Sequence, residues 1–388
     1  MQHFHPGHFD ASLDRANQLD ALAAVLPMNR RDALSRVLTN EDVATLRHLV
    51  EQGIGPNTLR ALSSDLAYLT AWCWAATGAP LPWPAPLDLG LKFLAHHLWD
   101  PVRREADPHH GMPDAVAEEL CSQGRLVAGG PHAPSTVRRR LAHWATLHRW
   151  RGLDAPFGQP QFKTALRLLV RSSRRPRQRK SERAVTADVL ERLLLTCASL
   201  RLADGRDRAI LLTGFASGGR RRSELAALRL EQIERMEPVR ADPMDPGSPL
   251  VTCLKLRLGR TKTLNTDSNG HVLLLGRAAD ALLHWTEQAG IEQGPVFRAV
   301  DRGGRISDKG LTPQSVNLIV KRRTELAGLS SSDISAHGLR SGYLTEAARQ
   351  GVSLVEAMQQ SQHRSVQQAA SYYNDANRSA GRAARVSL

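Results

Sequence analysis

The sequence predicts a mainly α protein of two domains, with a small antiparallel β-sheet in the second. Three observations predict it. Apolar residues recur three to four apart through much of the chain, one stretch after residue 250 alternates with period two, and a charged run separates two helical parts. The length of 388 residues is more than one core comfortably serves.

Residues 1–48 carry scattered His, Asp and Arg and read as a leader of unknown role, with a helix or two. A helical domain is expected over 49–172. From Asn57, the apolar positions Leu59, Leu62, Leu66, Leu69 and Trp72 share a helical face. Pro80, Pro82, Pro84 and Pro86 break that helix, and a second one over Leu87–Leu98 stops before Pro101. Ser135 is the expected N-cap of a third, whose apolar side is Trp144, Leu147 and Trp150. The same helix carries Arg138, Arg139, Arg140, His143, His148 and Arg149, either a solvated basic face or a contact for DNA.

Residues 173–183 form a basic linker that includes Arg174, Arg175, Arg177, Arg179 and Lys180. It reads as a soluble hinge, and so charged a tether also suits a phosphate backbone. The second domain is expected over 184–388. There Thr186 caps a helix to about Ser199, and Arg206–Ala216 makes a buried one. A Pro/Asp-rich loop, Pro238–Pro249, leads into a half-buried strand in which Thr252, Leu254, Leu256 and Leu258 alternate with Cys253, Lys255 and Arg257. Asn269-Gly270 signals a turn and His271–Leu275 a second strand, with Lys262 at the tip between them. Further on, Ser353-x-x-Glu356 and Ser365-x-x-Gln368 have the form of capping boxes, Gly351 suits a helix end, and the second box opens a helix that carries Tyr372.

A formal net charge of +14 and a pI near 10.4 favour a polyanionic partner. No apolar run approaches the ~20 residues of a membrane span, and the N-terminus lacks a signal-peptide pattern, so nucleic acid is the better reading. Cys73, Cys121, Cys197 and Cys253 fit neither a disulfide framework nor a zinc spacing, which points to a reducing, cytoplasmic compartment. There is no Walker-type glycine loop and no carboxylate cluster suited to Mg²⁺.

Four patches in the second half carry chemistry. The first is Phe215-Ala-Ser-Gly-Gly-Arg-Arg-Arg-Ser-Glu-Leu225; the second is Leu258-Gly-Arg-Thr-Lys-Thr-Leu264; the third is His337-Gly-Leu-Arg340; and the fourth runs from His363 to Tyr372. Guanidinium groups match phosphate oxygens with paired donors, and His337 and Arg340, three apart on a helix, share a face. A tyrosine hydroxyl, ordinarily protonated near pH 7, needs neighbouring positive charge or a base to become a nucleophile.

Together these patches resemble the active site of the tyrosine recombinases, the phage-integrase family, with a Cre-like catalytic domain. The family writes its first box as Gly, any residue, Arg, any residue, Ser-Glu-Leu, which selects Arg221 from the triplet Arg220–Arg222. A nine-residue step from His363 selects Tyr372 over its neighbour Tyr373, and Gln362 stands where the family usually has Gly. The resemblance implies a two-domain DNA clamp and a site-specific recombinase that cuts and rejoins strands through a 3′-phosphotyrosine. It makes Arg221 and Arg340 the phosphate clamp, His337 the base, His363 a donor to a non-bridging oxygen, Lys262 the acid and Glu224 the residue that orients Arg221. It also implies double-stranded DNA as partner, a homo-tetramer on synapsed sites, accessory DNA-binding proteins as further candidates, and no metal or cofactor. The expected DNA contacts are Arg138, Arg139, Arg140, Arg174, Arg175, Arg177, Arg179, Lys180 and Arg260. Two rivals share these features: relaxation of DNA by a type IB topoisomerase, and a catalytically silent DNA-binding protein of the same fold.

Overall fold

A computed structural model describes residues 39–127, 130–173, 183–258, 270–363 and 365–380. The chain divides into two compact units, Met1–Arg177 and Gln178–Leu388. The linker arginines, Lys180, Arg260 and Lys262 lie outside the described residues.

The first unit is helical: α1 (Asn40–Ile54), α2 (Pro56–Thr77), α3 (Leu87–His97), α4 (Pro101–Ala106), α5 (Asp114–Ser122), α6 (Pro134–Trp150) and α7 (Pro160–Ser172). Helix α1 runs across the boundary expected at 48/49. The core is aromatic, with Trp72 and Phe93 edge to face at 5.0 Å and Phe162 seated so closely that a Cβ on Gly90 would lie 2.9 Å from its ring. Helix α6 is N-capped two residues earlier than expected, at Ala133 and not Ser135, because Pro134 occupies the first turn where its missing N–H costs nothing.

The structure also corrects the basic face of α6. Asp65 is 1% exposed and draws three residues of α6 towards it: Arg139 at 2.8 Å, His143 at 2.7 Å and Arg140 at 3.4 Å. Arg140 is buried, its guanidinium 3.3 Å from the centre of the Tyr68 ring, so it is a core residue and not a DNA contact. His148 is buried as well and accepts the Ala85 N–H at 2.9 Å. Arg138 remains exposed.

The second unit comprises α8 (Ala187–Leu195), α9 (Leu202–Ala216), α10 (Arg222–Ala226), β1 (Ile233–Arg240), β2 (Leu250–Arg257), β3 (His271–Leu275), α11 (Arg277–Gln288), β4 (Arg298–Val300), β5 (Ile306–Gly310), α12 (Pro313–Leu326), α13 (Ala336–Arg349), α14 (Leu354–Ser361) and α15 (Val366–Ala380). Helix α8 stops at Leu195, not near Ser199, because the Thr196 and Cys197 N–H groups turn back onto Leu193 and Leu194. The sheet has three strands in the order β1-β2-β3, all antiparallel, and β4-β5 form a separate hairpin. Strand β1 gives no period-two signal because six of its eight residues are exposed. Pro238 falls inside it, at the register shift between Met236 and Val239, where a missing N–H is tolerated.

Leu254 and Leu256 of β2 join Leu274 of β3 in a core with Trp285 of α11 and the buried Ile210 and Leu211 of α9. Helix α13 lies so close to the first residues of the unit that a Cβ on Gly342 would meet the Val185 carbonyl oxygen at 1.8 Å. A separate cluster of Leu344, Ala347, Ala357 and Tyr373 seats α14 and α15 on α13. No helix among the described residues is long and apolar enough to cross a membrane.

Candidate active site

Five of the six expected residues come together where α9, α13, α14 and α15 end or meet, and the sixth, Lys262, lies in the connection from β2 to β3. Two glycines make this possible. Gly218 and Gly219 both have positive φ, and a Cβ on either would lie 2.3 Å from backbone, at the Gln360 oxygen and the Arg340 Cα respectively. The loop after α9 therefore presses directly onto the helix that bears Arg340.

Arg221 opens α10, and Glu224 holds it twice. One carboxylate oxygen accepts the Arg221 backbone N–H at 3.1 Å and the other its guanidinium at 2.5 Å. Arg221 keeps a side-chain exposure of 35%, so the expected orienting role of Glu224 has a geometry that leaves the guanidinium accessible.

Arg340 is 5% exposed. Its Nη1 donates to the Gly219 carbonyl at 2.9 Å and its Nε to His363 Nε2 at 3.0 Å, while Nη2 is buried and meets no acceptor among the described residues. Burial, with Arg221 and Arg220 next, lowers its pKa to about 10, so the group stays cationic at neutral pH. An accepting Nε2 puts the ring proton of His363 on Nδ1, which faces Ser361 Oγ at 2.7 Å. Burial first and then Arg340 push His363 down to about 3, so it is neutral. Both ring nitrogens are thus engaged, and in this state His363 holds Arg340 rather than offering an N–H to a phosphate oxygen.

The two tyrosines part company on α15. Tyr372 Oη stands 3.4 Å from His337 Nε2. Tyr373 is 8% exposed and its hydroxyl donates to the Val352 and Ser353 carbonyls at 3.3 and 3.4 Å. The preceding turn depends on caps legible in the sequence: Ser353 and Glu356 form a full capping box, and the Gln368 N–H bonds Ser365 Oγ at 3.2 Å.

Sequence reasoning missed Arg220 and Gln360. Arg220 is 4% exposed and donates to the Gln360 carbonyl at 2.9 Å, and the Gln360 amide donates to Ala216 and Leu273 carbonyls at 3.0 and 2.6 Å. An arginine inside a triplet reads as surface charge. The adjacent glycine pair was the available sign of a close approach.

The arrangement offers a buried arginine nitrogen without a partner among the described residues, a second arginine in reach of solvent, and a phenol beside an imidazole. That is equipment for holding a phosphate and attacking it. A model of the phage integrase family matches residues 183–379. An integrase/recombinase xerD homolog from Selenomonas ruminantium is 29% identical over 349 residues, covering 88% of this chain and 89% of that protein. Among solved structures, XerH recombinase bound to difH substrate in a pre-cleavage complex is 12% identical, with 93% of this chain and 92% of that one covered and a TM-score of 0.49. A lambda integrase dimer bound to a COC′ core site is 14% identical, with 87% of each chain covered and a TM-score of 0.38. On the family match over half its length, the chain belongs to the phage integrase family and is a tyrosine-type site-specific recombinase.

Proposed function

We propose that this recombinase cleaves double-stranded DNA with Tyr372, leaving a 3′-phosphotyrosine and a free 5′ hydroxyl. The observation that carries this reading is the contrast on α15: the Tyr372 hydroxyl faces His337 at 3.4 Å, whereas the Tyr373 hydroxyl is bonded to backbone carbonyls inside a core. Tyr372 Oη attacks phosphorus and gives its proton to His337 Nε2. The P–O5′ bond breaks, and the 5′ oxygen takes a proton from Lys262, which lies outside the described residues. The ester retains the bond energy, and attack by a 5′ hydroxyl on the phosphotyrosine reverses the step on a new partner strand.

Arg221 and Arg340 bind the non-bridging oxygens. The unpartnered Arg340 Nη2 supports this, and the Arg340 Nε is free to follow a phosphate only if His363 rotates or re-pairs. Arg138 on α6, with the basic residues of 174–180 and Arg260, supplies the positive charge that meets the backbone; the net charge of +14 supports a duplex partner. Family membership further suggests a homo-tetramer on two synapsed sites, acting in the cytoplasm, where its DNA is.

Covalent trapping tests the reading. The chain is incubated with a pooled library of nicked duplexes, quenched with SDS and compared with Tyr372→Phe and Tyr373→Phe. An adduct lost only in Tyr372→Phe is expected, and sequencing the trapped DNA gives the site. Loss only in Tyr373→Phe moves the nucleophile by one residue, and no adduct on DNA that the protein binds leaves a binding protein.

A further inference from the structure

The arginine box contains one cation more than the chemistry above uses. Arg220 has 4% side-chain exposure, against 35% for Arg221. Its Nη2 donates to the Gln360 carbonyl, its nearest carboxylate oxygen on Glu224 is 3.7 Å away, and its buried Nε meets no acceptor among the described residues. Glu224 meanwhile spends its closer contacts on Arg221. Three arginines, Arg220, Arg221 and Arg340, therefore share one carboxylate.

A brace alone does not explain this choice. Holding the Gln360 carbonyl needs one N–H, which a neutral amide supplies without desolvating a full charge. That desolvation is incurred here, since burial lowers the Arg220 pKa. What a fixed buried cation adds is field. Arg220 acts electrostatically on both Arg340 and His363, the pair that the cleavage reading sets beside the phosphate. The Gln360 amide, tied to Ala216 at the end of α9 and Leu273 in β3, keeps the carbonyl that anchors it in place.

We propose that Arg220 is a further positioning residue of the phosphate site, a buried cation whose charge adds to that of Arg221 and Arg340 as negative charge grows on the phosphorane oxygens. This rests on the cleavage reading above. It makes the charge of Arg220, not only its hydrogen bond, matter to the rate.

The test compares the wild-type chain with Arg220→Gln and Arg220→Lys on a nicked duplex carrying the trapped site. The scissile group is either the ordinary diester or a neutral methylphosphonate, and the single-turnover rate of covalent-complex formation is read for each. Arg220→Gln keeps an N–H donor and loses the charge. It is expected to slow the diester about 10- to 100-fold, as loss of a preorganised electrostatic group does, and the methylphosphonate by less than about threefold. Arg220→Lys should recover most of the diester rate. Equal slowing of both substrates, or no slowing, overturns the proposal, because a brace would not distinguish them. Arg220→Met, an apolar chain of similar length, gives the same two-substrate comparison if Arg220→Gln is too unstable to assay. Failure of the wild-type chain to form any adduct sinks the cleavage reading and this inference with it; a wild-type adduct with unchanged variant rates sinks this inference alone.

Discussion

Helix α9 has an arginine cluster at each end, and the two are built on opposite principles. At its start, Arg206 and Arg323 are matched by Asp204 and Asp207. Arg206 forks onto Asp207 at 2.7 and 2.9 Å, and Arg323 reaches Asp207 at 2.8 Å, Asp204 at 2.5 Å and the Thr196 carbonyl at 2.6 Å. Past its other end, Arg220, Arg221 and Arg340 have Glu224 between them, and buried nitrogens of Arg220 and Arg340 lack acceptors among the described residues. A matched cluster is a finished structural element. An unmatched one keeps positive charge with too few acceptors, which is costly without a ligand and suits the anionic phosphate proposed above.

Substitution at the two ends should therefore fail in different currencies. Asp207→Asn is expected to cost about 3–5 kcal/mol of stability, since it leaves two buried arginines poorly paired. At about 2–4 °C per kcal/mol for a unit of this size, the melting temperature falls by roughly 6–20 °C. Arg340→Gln should slow covalent-complex formation by about 10²–10³-fold, as loss of one preorganised donor does, with the melting temperature within a few degrees of wild type. Calorimetry beside single-turnover cleavage checks both. A large stability loss in Arg340→Gln with an unchanged cleavage rate would abolish the distinction between the two ends.

A smaller effect rests on buried histidines, most of them in the first unit. In the first, His96, His97 and His148 are buried and each uses a ring nitrogen as acceptor, from Trp72 Nε1, the Tyr68 hydroxyl and the Ala85 N–H. Burial pushes all three below the ordinary histidine value, His96 to about 4. The native state thus binds fewer protons than the unfolded chain, so the stability present above about pH 6.5 is lost as pH falls towards 4. In the second unit, His363 is depressed in the same way. Six of the seven tryptophans lie in the first unit, so tryptophan fluorescence reports on it. Its midpoint should fall between pH 7 and pH 5; a midpoint constant over that range would show that these histidines titrate normally.

How much of this was legible follows from where each partner sits in the chain. His337 and Arg340 share a helix turn, Arg221 and Glu224 lie three apart, and the Ser353 cap closes on Glu356; local spacing carries all of that. The burial of Arg140 was not legible, because its carboxylate is 75 residues away on another helix. For the same reason the engagement of His363 by Arg340, 23 residues distant, reversed the donor role expected of it in this state. Strand β1 stayed hidden because its side chains are mostly exposed, and burial is what writes a period into sequence.

The smallest expected effect concerns the one sequence departure that the structure explains. Gln362 stands where the family usually has Gly, and it is the C-cap of α14 with φ 54 and ψ 42, the one non-glycine residue of positive φ among those described. The left-handed conformation costs a side-chain-bearing residue about 1–2 kcal/mol. Against that, glycine gives the unfolded chain freedom worth about 0.4–1 kcal/mol. The Gln362 amide also donates to the Gln359 carbonyl at 2.7 Å, an exposed bond whose loss takes back part of the gain. The strain is the larger quantity, so Gln362→Gly should stabilise the chain by roughly 0.5 kcal/mol, or about 1–2 °C in melting temperature. Because the residue sets the direction in which the chain leaves α14 for His363, a gain in stability that comes with slower cleavage would mean that the glutamine holds His363 against Arg340. A gain with unchanged cleavage would make the strain an incidental feature of this member of the family.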